Sequence, residues 1–315
     1  MNVSHPWWKE EAPRFLNEAL AHVNQSRRRE EPVDRCEDLC KALNKTWNAY
    51  YSFRKRHGGL TKKEIEDGRP SDTQGFNELL LTGLEDSLAQ HLCECKSVAA
   101  LAEFSPQVMN HETLMKRDYD PRNLSEELGK EACDEHRQLL NALKRYSCGQ
   151  GGEEARKALL RKLRQLLYVI RCNIAHSEKT PRGPDIAKIE RDRAVSEIAS
   201  AVIEDVFDLL LERPSQRLAF YGTLAPGEPN EVILADIQGD WTEGIVRGEL
   251  TENMGLRSFR WRESEQAVYV RLLISKDLPN HLARIDRFEG KKYTRSLIPV
   301  ACGLELTVAN IYVSA

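Results

Sequence analysis

The hydrophobic periodicity of the chain changes once, at about residues 213–217, and this change constrains the fold more than any other feature. Before it, apolar residues recur at spacings of three and four, which predicts helices. After it, they alternate or form short runs between glycines and prolines, which predicts strands. The predicted helices span residues 11–27, 33–56, 74–95, 125–147, 153–175 and 186–212. We therefore predict an all-helical domain over residues 1–213 and a small mixed α/β domain over residues 217–315, an α+β multidomain chain.

The period-two and short apolar segments of the C-terminal part lie between breaker residues. They are EVILADIQG (231–239), AVYVRLLIS (267–275) and LTVANIYVS (306–314). A chain of 315 residues is long enough for two separate cores, which agrees with two domains.

Charge and composition limit the partners. Hydrophobic residues make up 41% of the chain, charged residues 30%, and the formal net charge is −3. This charge predicts no bulk attraction to nucleic acid or to an anionic membrane, so any such binding needs a local basic patch. The apolar stretches are too short to span a membrane, and the first residues lack the basic start and apolar core of a signal peptide. We expect a cytoplasmic protein with no membrane partner.

Eight cysteines raise the question of a metal site. Cys93 and Cys95 are separated by one residue, which suits neither a zinc knuckle nor a redox pair. Cys36 and Cys40 lie one helical turn apart, but the spacing that a zinc site needs never occurs twice. We expect reduced thiols, no metal and no cofactor.

The segment FYGTLAPGEPN (220–230) opens the C-terminal domain with a tight loop bracketed by Gly222 and Gly227. Such loops expose backbone N–H groups to an anion. A phosphate loop would end in Lys and Ser or Thr before a helix, and this one does not. Glu228 and Glu231 would also repel a polyphosphate. A carboxylate therefore fits better than a phosphate.

Three motifs of the C-terminal domain resemble, in order, those of the γ-glutamylcyclotransferase family in its AIG2-like, γ-glutamylamine branch. They are Tyr221-Gly222-Thr223-Leu224 with Gly227 and Asn230, the glycine run from Gly244 to Gly248, and Asp286-x-Phe288-Glu289-Gly290-x-x-Tyr293-x-Arg295. The resemblance implies a small α/β barrel whose Tyr-Gly-Thr-Leu loop receives a carboxylate on backbone N–H groups, with Glu289 as the acid/base. It implies substrate-binding roles for Tyr221, Gly222, Thr223, Leu224, Asn230, Tyr293 and Arg295.

The implied reaction suits a single carboxyl group. To release 5-oxoproline, the α-amine of a γ-glutamyl group attacks its own γ-carbonyl, so one nitrogen loses a proton and the leaving nitrogen gains one. Glu289 can do both in turn if an apolar neighbour, for which Phe288 is the candidate, raises its pKa. Without the family pattern, a Glu before a Gly is more often a solvated turn residue.

A basic-aromatic cluster lies in RSFRWRE (257–263). Its members are Arg257, Arg260, Trp261 and Arg262. We interpret it as the solvated face of a strand, with contact to an anionic partner as the alternative.

The predicted helix 153–175 carries two stripes. Leucine and isoleucine side chains form a core stripe, and a basic stripe runs beside it at the same spacing. The basic stripe consists of Lys157, Arg161, Arg164, Tyr168 and Arg171. His176 follows Arg171 by five residues, which is about 140° around a continuing helix and about 7.5 Å along it. The two side chains therefore do not share a face within one chain.

Arg171-Cys172-Asn173-Ile174-Ala175-His176 resembles the R-x4-6-H motif of the HEPN superfamily, whose members are all-helical and often metal-independent ribonucleases. The family's nucleases carry a polar residue directly after the Arg, whereas here it is Cys172, with Asn173 one later. The resemblance implies that Arg171 and His176 are catalytic, that Lys157, Arg161, Arg164 and Asn173 bind RNA, and that the helical domain forms a homodimer. The alternative is that Arg171 and His176 only cap a core helix.

Three functions remain open from the sequence. The first is a HEPN-type ribonuclease, such as a toxin or antiviral effector, fused to a domain that modifies or senses a small γ-glutamyl-type ligand. The second is a γ-glutamylamine cyclotransferase whose helical domain only dimerises. The third is a sensor in which neither site turns over a substrate.

Overall fold

The chain divides at Leu210, where the last helix of the N-terminal part ends and the strands begin. The structure, a computed structural model, describes residues 6–11, 14–68, 78–104, 134–175, 186–253, 256–261 and 266–314. These fall into two units, Met1–Leu210 and Leu211–Ala315. None of the helices in the described ranges is long and apolar enough to cross a membrane.

Every regular secondary-structure element that the structure describes in the N-terminal unit is a helix. Its helices are α1 (Trp7–Glu11), α2 (Arg14–Ser26), α3 (Pro32–Arg56), α4 (Lys62–Asp67), α5 (Asp86–Glu94), α6 (Lys96–Ala102), α7 (Asp134–Ser147), α8 (Gly152–Ala175) and α9 (Ile186–Leu210). Helix α3 packs against α2 and α9, and α7 packs against α8. Because α3 begins at Pro32 and carries three basic residues in its last turn, its ends agree with helix-terminus preferences.

The prediction of one continuous helix over 74–95 is wrong, because residues 83–85 interrupt it; residues 74–77 lie outside the described residues. Residues 78–82 are helical, but the N–H of Gly83 donates back to the carbonyl of Leu79 and the turn ends there. Glu85 is extended, with φ −61° and ψ 151°, so α5 starts afresh at the next residue. The apolar spacing continues through this break, which is why the periodicity did not reveal it.

The C-terminal unit is a sheet of six strands and one long helix. The strands are β1 (Arg217–Phe220), β2 (Asp240–Asn253), β3 (Leu256–Trp261), β4 (Ala267–Ile274), β5 (Tyr293–Cys302) and β6 (Glu305–Ser314), and helix α10 is Leu278–Glu289. The strand order is β3-β2-β4-β1-β6-β5, with an additional β2–β5 pairing. Strand β1 is parallel to β6, and the other neighbours are antiparallel. Five strands thus close into a barrel, and β3 extends β2 as a hairpin.

Glycine 244 permits the closure of the barrel. Strands β2 and β5 pair at Ile245 and Ala301. A Cβ on Gly244 would lie 2.6 Å from the Cγ1 of Val300, closer than atoms can approach. The missing side chain lets the two strands meet there.

Two clusters of buried apolar side chains lie on the two sides of the barrel wall. One contains alternate residues of β1, β2, β4, β5 and β6, such as Ala219 and Ile311, and fills the interior. The other contains Leu218 and Tyr312 on the opposite side of the wall and packs against Leu282 and Ile285 of α10.

The prediction of a strand at EVILADIQG (231–239) is wrong. Its first four residues form a 3₁₀ turn, which follows Pro229 and Asn230 and carries Leu234 into the α10 cluster.

Candidate active site

A cavity of about 310 Å³ opens in the C-terminal unit where the loop after β1 faces the end of α10. Its lining comes from β1 and its loop, the β2–β3 hairpin, the end of α10, the start of β5, and β6. The lining residues are Ala219, Phe220, Tyr221, Gly222, Thr223, Leu224, Asn230, Arg257, Phe288, Glu289, Lys292, Tyr293 and Tyr312. Seven of the eight predicted barrel site residues are among them, and Arg295 is not.

The loop after β1 is held by bonds within itself. Asn230 donates from its main chain to the carbonyl of Thr223 at 2.9 Å and from Nδ2 to the Thr223 hydroxyl at 3.0 Å. Gly227 has a φ of 83°, which favours glycine, and its N–H donates to the Glu231 carboxylate at 2.7 Å. Glu231 therefore fastens the loop, where the sequence had suggested only that it repels anions.

The first residues of this loop line the cavity. Among the described residues, the N–H groups of Gly222, Thr223 and Leu224 have no hydrogen-bond acceptor. A Cβ on Gly222 would meet no atom within 4 Å, and its φ is not positive. Neither packing nor backbone conformation therefore requires glycine at 222, and the space beside it belongs to the cavity.

Glu289 is the last residue of α10 and projects into the same cavity. Helix α10 ends there because Gly290 has φ 71° and ψ −173°, a conformation that is essentially restricted to glycine. No described residue makes a hydrogen bond or ion pair with the Glu289 carboxyl group. Burial raises its pKa from 4.5 to about 7. Phe288 lines the cavity beside it, although the residue is 42% exposed.

Arg295 is bound behind the cavity wall. Its Nε and Nη2 donate to the two carboxylate oxygens of Asp286 at 2.9 and 3.3 Å, and its Nη1 donates to Asn310 Oδ1 at 3.2 Å. The Tyr312 hydroxyl also donates to Asp286, at 2.7 Å. Because Asp286 lies one turn before Glu289 on α10, this network ties the end of the helix to β5 and β6. The geometry gives Arg295 a positioning place in this network, and Arg295 is not among the residues that line the cavity.

Two tyrosines connect the walls of the cavity. The Tyr221 hydroxyl donates to the main-chain carbonyl of Tyr312 at 2.8 Å, and the Tyr293 hydroxyl donates to the carbonyl of Arg257 at 3.1 Å. Burial raises the pKa of both the Tyr221 and the Tyr312 phenol, so both stay protonated and act as donors at neutral pH.

Arg257 is exposed on strand β3, as its interpretation as part of a solvated strand face predicted, and it also lines the cavity. Its Nη1 lies 3.4 Å from the carbonyl of Tyr221 and 3.9 Å from the Glu228 carboxylate. Trp261 packs against the barrel cluster, Arg260 is exposed, and Arg262 lies outside the described residues.

The sequence reasoning also missed Tyr312 and Lys292 as cavity residues. Tyr312 belongs to a run of six consecutive buried residues in β6 (308–313), and a run that is buried on both faces does not say which of its side chains borders a cavity. Lys292 follows Glu289 by three residues in the short 3₁₀ turn Gly290–Lys292. Its closeness to Glu289 in the chain was the available signal.

In the helical unit, the side chain of Arg171 packs on aromatic rings. Its guanidinium carbon lies 5.8 Å from the ring centres of both Trp47 and Tyr168. Arg164 is buried, and burial lowers its pKa, so the basic stripe does not continue along the surface through that position. Lys157 pairs with Glu153 on its own helix.

Arg161 and Asn173, two other residues of the predicted RNA site, differ in their degree of exposure. Arg161 is exposed and Asn173 is half-buried. His176 lies outside the described residues, so the geometry of the Arg171–His176 pair is not described.

Residues 218–315 match the protein family described as gamma-glutamyl cyclotransferase, AIG2-like. This unit is an AIG2-like domain. The match agrees with the resemblance of the three motifs, and its range covers the whole barrel from β1 to β6. Residues 1–217 lie outside it.

Two solved structures are similar to parts of this chain. YkqA from Bacillus subtilis is 24% identical over 31% of this chain and 35% of its own, with a TM-score of 0.27. An AIG2-like protein from Mus musculus is 18% identical over 32% of this chain and 77% of its own, also with a TM-score of 0.27. The matched part is thus about a third of the YkqA chain, and at these TM-scores neither alignment adds to the family match. No curated protein matches the chain.

Within the AIG2-like domain, the first and third motifs meet at the cavity. The loop from Tyr221 to Leu224 forms one side, and Glu289 and Tyr293 form the other. The glycine run of β2 lies elsewhere: Gly244 and Gly248 allow close packing against Val300 and Phe259. Two motifs therefore build the cavity, and one builds the barrel.

Proposed function

We propose that the AIG2-like domain is a γ-glutamyl cyclotransferase that releases 5-oxoproline from small γ-glutamyl compounds. One observation carries the proposal: a partly buried carboxyl group with a pKa raised to about 7 lines the same cavity as three loop residues whose N–H groups have no acceptor in the described chain. A carboxyl group with this pKa can accept and return a proton at neutral pH.

Glu289 acts first as the base and then as the acid. Its carboxylate accepts a proton from the α-amino nitrogen of the γ-glutamyl group, and that nitrogen attacks the γ-carbonyl carbon. A C–N bond forms, and the carbonyl electrons move to the oxygen. When the carbonyl re-forms, the original γ-amide C–N bond breaks and the leaving nitrogen takes the proton from Glu289. The products are 5-oxoproline and the free amine, and no oxidant, water or second substrate is consumed.

The loop N–H groups of Gly222, Thr223 and Leu224 bind the α-carboxylate of the glutamyl group. Such groups favour an anion without adding a mobile charge. The loop holds the α-carboxylate while Glu289 contacts the reacting nitrogen atoms, and these two contacts keep the glutamyl chain bent. A bent chain favours ring closure because the reaction is intramolecular.

The test is release of 5-oxoproline from a panel of γ-glutamyl compounds by the full-length chain. Glu289→Gln keeps the size of the side chain but cannot take the proton, and we expect turnover to fall about 10²- to 10⁴-fold. Glu305→Gln, at an exposed glutamate outside the cavity, is the matched control and should behave like the parent protein. Parent-level activity in Glu289→Gln would disprove the proposed role.

A sensor function gives a different result in the same experiment. A sensor would bind γ-glutamyl compounds without releasing 5-oxoproline, and Glu289→Gln would change affinity only. Binding without turnover in the parent protein would therefore favour the sensor.

For the helical unit, a ribonuclease function stays a prediction. The exposed Arg161 and the aromatic packing of Arg171 near the end of α8 are compatible with it, and it would require RNA and a homodimer. Cleavage of a generic RNA without metal, lost in His176→Ala and in Arg171→Ala, would support it. Expression toxicity relieved by Arg171→Ala would support the toxin or effector role. A purified dimer that leaves RNA intact would favour a helical unit that only dimerises.

A further inference from the structure

The segment between α9 and β1 contains two residues in an unusual backbone conformation. Glu212 has a φ of 59°, and Arg213 has a φ of 65° with a ψ of 60°. Among the described residues, these are the non-glycine residues with a positive φ. Such residues are disfavoured in this left-handed region and stay there only when the surrounding structure holds them. We call residues 211–217 the connecting segment, because they follow directly on the last helix of the N-terminal unit.

Hydrogen bonds within the connecting segment help to hold this conformation. The N–H of Gln216 donates to the carbonyl of Arg213 at 3.0 Å and closes the 3₁₀ turn Pro214–Gln216. The Nη1 of Arg217 donates to the carbonyl of Leu211 at 3.4 Å. The second bond spans the two left-handed residues, so the segment is a closed loop at the entrance to β1.

One buried side chain of the barrel fixes the position of this loop. Asn310 of β6 is fully buried, between the buried residues Ala309 and Ile311. Its Nδ2 donates to the carbonyl of Pro214 at 2.7 Å and to the carbonyl of Arg217 at 3.3 Å. A buried amide is costly unless its hydrogen bonds are made, so these bonds determine where the turn lies against the barrel.

The other end of the Asn310 amide leads to Glu289. Its Oδ1 accepts a hydrogen bond from Arg295 Nη1 at 3.2 Å, and Arg295 holds Asp286, one turn before Glu289 on α10. Carbonyl oxygens only accept and a guanidinium only donates, so a single orientation of the amide satisfies all three bonds. Because the amide group is planar and rigid, its two ends move together. A displacement of Pro214 therefore reaches the helical turn that carries Glu289.

A further hydrogen bond limits the size of this displacement. The Tyr312 hydroxyl also donates to Asp286, at 2.7 Å, and Tyr312 itself lines the cavity. Weaker contacts at Arg295 would thus loosen the end of α10 without releasing it. The expected consequence is a graded change in the position of Glu289 inside an intact cavity.

We infer that Asn310 is a positioning residue through which the left-handed conformation of Glu212 and Arg213 keeps Glu289 in its reactive place. This inference rests on the proposed function, because it takes Glu289 as the acid/base. When the two residues relax to a negative φ, the carbonyl of Pro214 leaves Asn310 and the end of α10 loosens. The connecting segment is therefore a switch for the AIG2-like domain, and a rearrangement at the end of α9 reaches this switch through the chain itself.

The experiment compares two variants of one position, Arg213→Gly and Arg213→Val, in the full-length chain. Both remove the same side-chain charge, but glycine accepts a φ of 65° without strain, whereas a β-branched residue resists it. We expect Arg213→Gly to release 5-oxoproline from γ-glutamylalanine with the kcat of the parent protein. The kcat of Arg213→Val should be lower by about 5- to 30-fold, the population ratio that the left-handed preference of glycine corresponds to. KM should change little, because the loop N–H groups take no part in this network.

A double-mutant cycle tests whether the effect passes through Asn310. In Asn310→Ala, kcat should already be low, and the glycine-to-valine ratio at position 213 should fall to about 1. Arg295→Lys should do the same if Asn310→Ala fails to fold, because one ammonium group does not hold Asp286 and Asn310 in the fixed geometry of a guanidinium. In the background of Glu305→Gln, an exposed control, the ratio should stay as it is in the parent protein.

Two results would overturn the inference while leaving the proposed function intact. One is an equal kcat for folded Arg213→Gly and Arg213→Val. The other is a glycine-to-valine ratio that persists in Asn310→Ala and in Arg295→Lys, because the connecting segment would then act by another route.

Absence of turnover in the parent protein would instead count against the proposed function, and titration of Glu289 then tests the inference separately. Carboxyl-carbon NMR of the full-length chain, labelled at glutamate, follows this group once Glu289→Gln has identified its signal. The pKa, which burial raises to about 7, should fall towards 4.5 in Arg213→Val and in Asn310→Ala but not in Arg213→Gly. The same pKa in the parent and all three variants would overturn the inference.

Discussion

Replacing Glu289 by glutamine should stabilise the AIG2-like domain at high pH and leave its stability unchanged at low pH. The pKa of this carboxyl group is raised in the folded protein, so the folded state holds its proton more tightly than the unfolded state. Below about pH 4.5 the group is neutral in both states, and Glu and Gln are equivalent. As the pH rises from 4.5 to about 7, the unfolded chain ionises first and the parent protein loses stability. Above that range the loss is complete and constant.

The size of this stability difference follows from the pKa shift of Glu289. A change from 4.5 to about 7 corresponds to at most ~3.4 kcal/mol at ~1.4 kcal/mol per pKa unit. Glu289 stays open to the solvent of the cavity, which weakens the penalty, so we expect a difference of about 1–2 kcal/mol at pH 8. For a unit of this size, that raises Tm by roughly 5–15 °C.

The assay is unfolding of the full-length parent and Glu289→Gln proteins by urea and by heat, from pH 4.5 to pH 8.5. The helical unit provides an internal reference, because its transition should not respond to the substitution. Glu305→Gln controls for the loss of one exposed charge. A stability difference that is equal at all pH values would indicate a packing effect, and a parent protein more stable than the variant at pH 8 would refute the reasoning.

Three further outcomes follow from individual contacts. Gly222→Ala should leave unfolding unchanged to within about 0.5 kcal/mol, since no atom lies within 4 Å of the new methyl group, but should raise KM because the methyl group stands in the cavity. Gly290→Ala should cost about 1–3 kcal/mol and reduce 5-oxoproline release, because alanine does not adopt φ 71° with ψ −173° beside Glu289; parent-like stability would contradict this. Glu64→Gln should destabilise the helical unit by about 3 kcal/mol in urea unfolding, because it removes the carboxylate nearest to the buried guanidinium of Arg54, at 2.5 Å, and leaves only Glu78 at 4.0 Å among the described ion pairs of Arg54. Glu66→Gln, on the exposed face of the same helix, should have no such effect.

The sequence predicted the elements whose signals are local. The change of periodicity anticipated a helical part and a part with strands, and the ends of α3 and α8 lie within one residue of the predicted ends. The break at Gly83 was missed because the apolar spacing continues through it. The strand predicted at residues 231–239 was wrong because an apolar run of this length also suits a 3₁₀ turn packed on a helix.

The site was predictable only where it lies on contiguous motifs. The loop from Tyr221 to Leu224 and the segment around Glu289 are short and recognisable, and both line the cavity. Arg257 and Tyr312 enter it through the pairing of distant strands, which no local pattern encodes. The place of Arg295 depends on Asp286 one turn before Glu289, so the same motif contains a cavity residue and the residue that anchors its helix.

The hydrogen bond from Tyr221 to Tyr312 joins residues that are 91 positions apart, and β1 lies between β4 and β6. On the ribosome, β1 therefore emerges long before either of its neighbouring strands exists. At a synthesis rate of about 5–20 residues per second, synthesis reaches β6 roughly 5–18 s after β1, and until then the apolar side chains of Leu218 and Phe220 lack β6 as a neighbour. The last folding step of this domain therefore has to wait until β6 has left the ribosome, and the cavity, which Tyr312 of β6 helps to line, is incomplete until then.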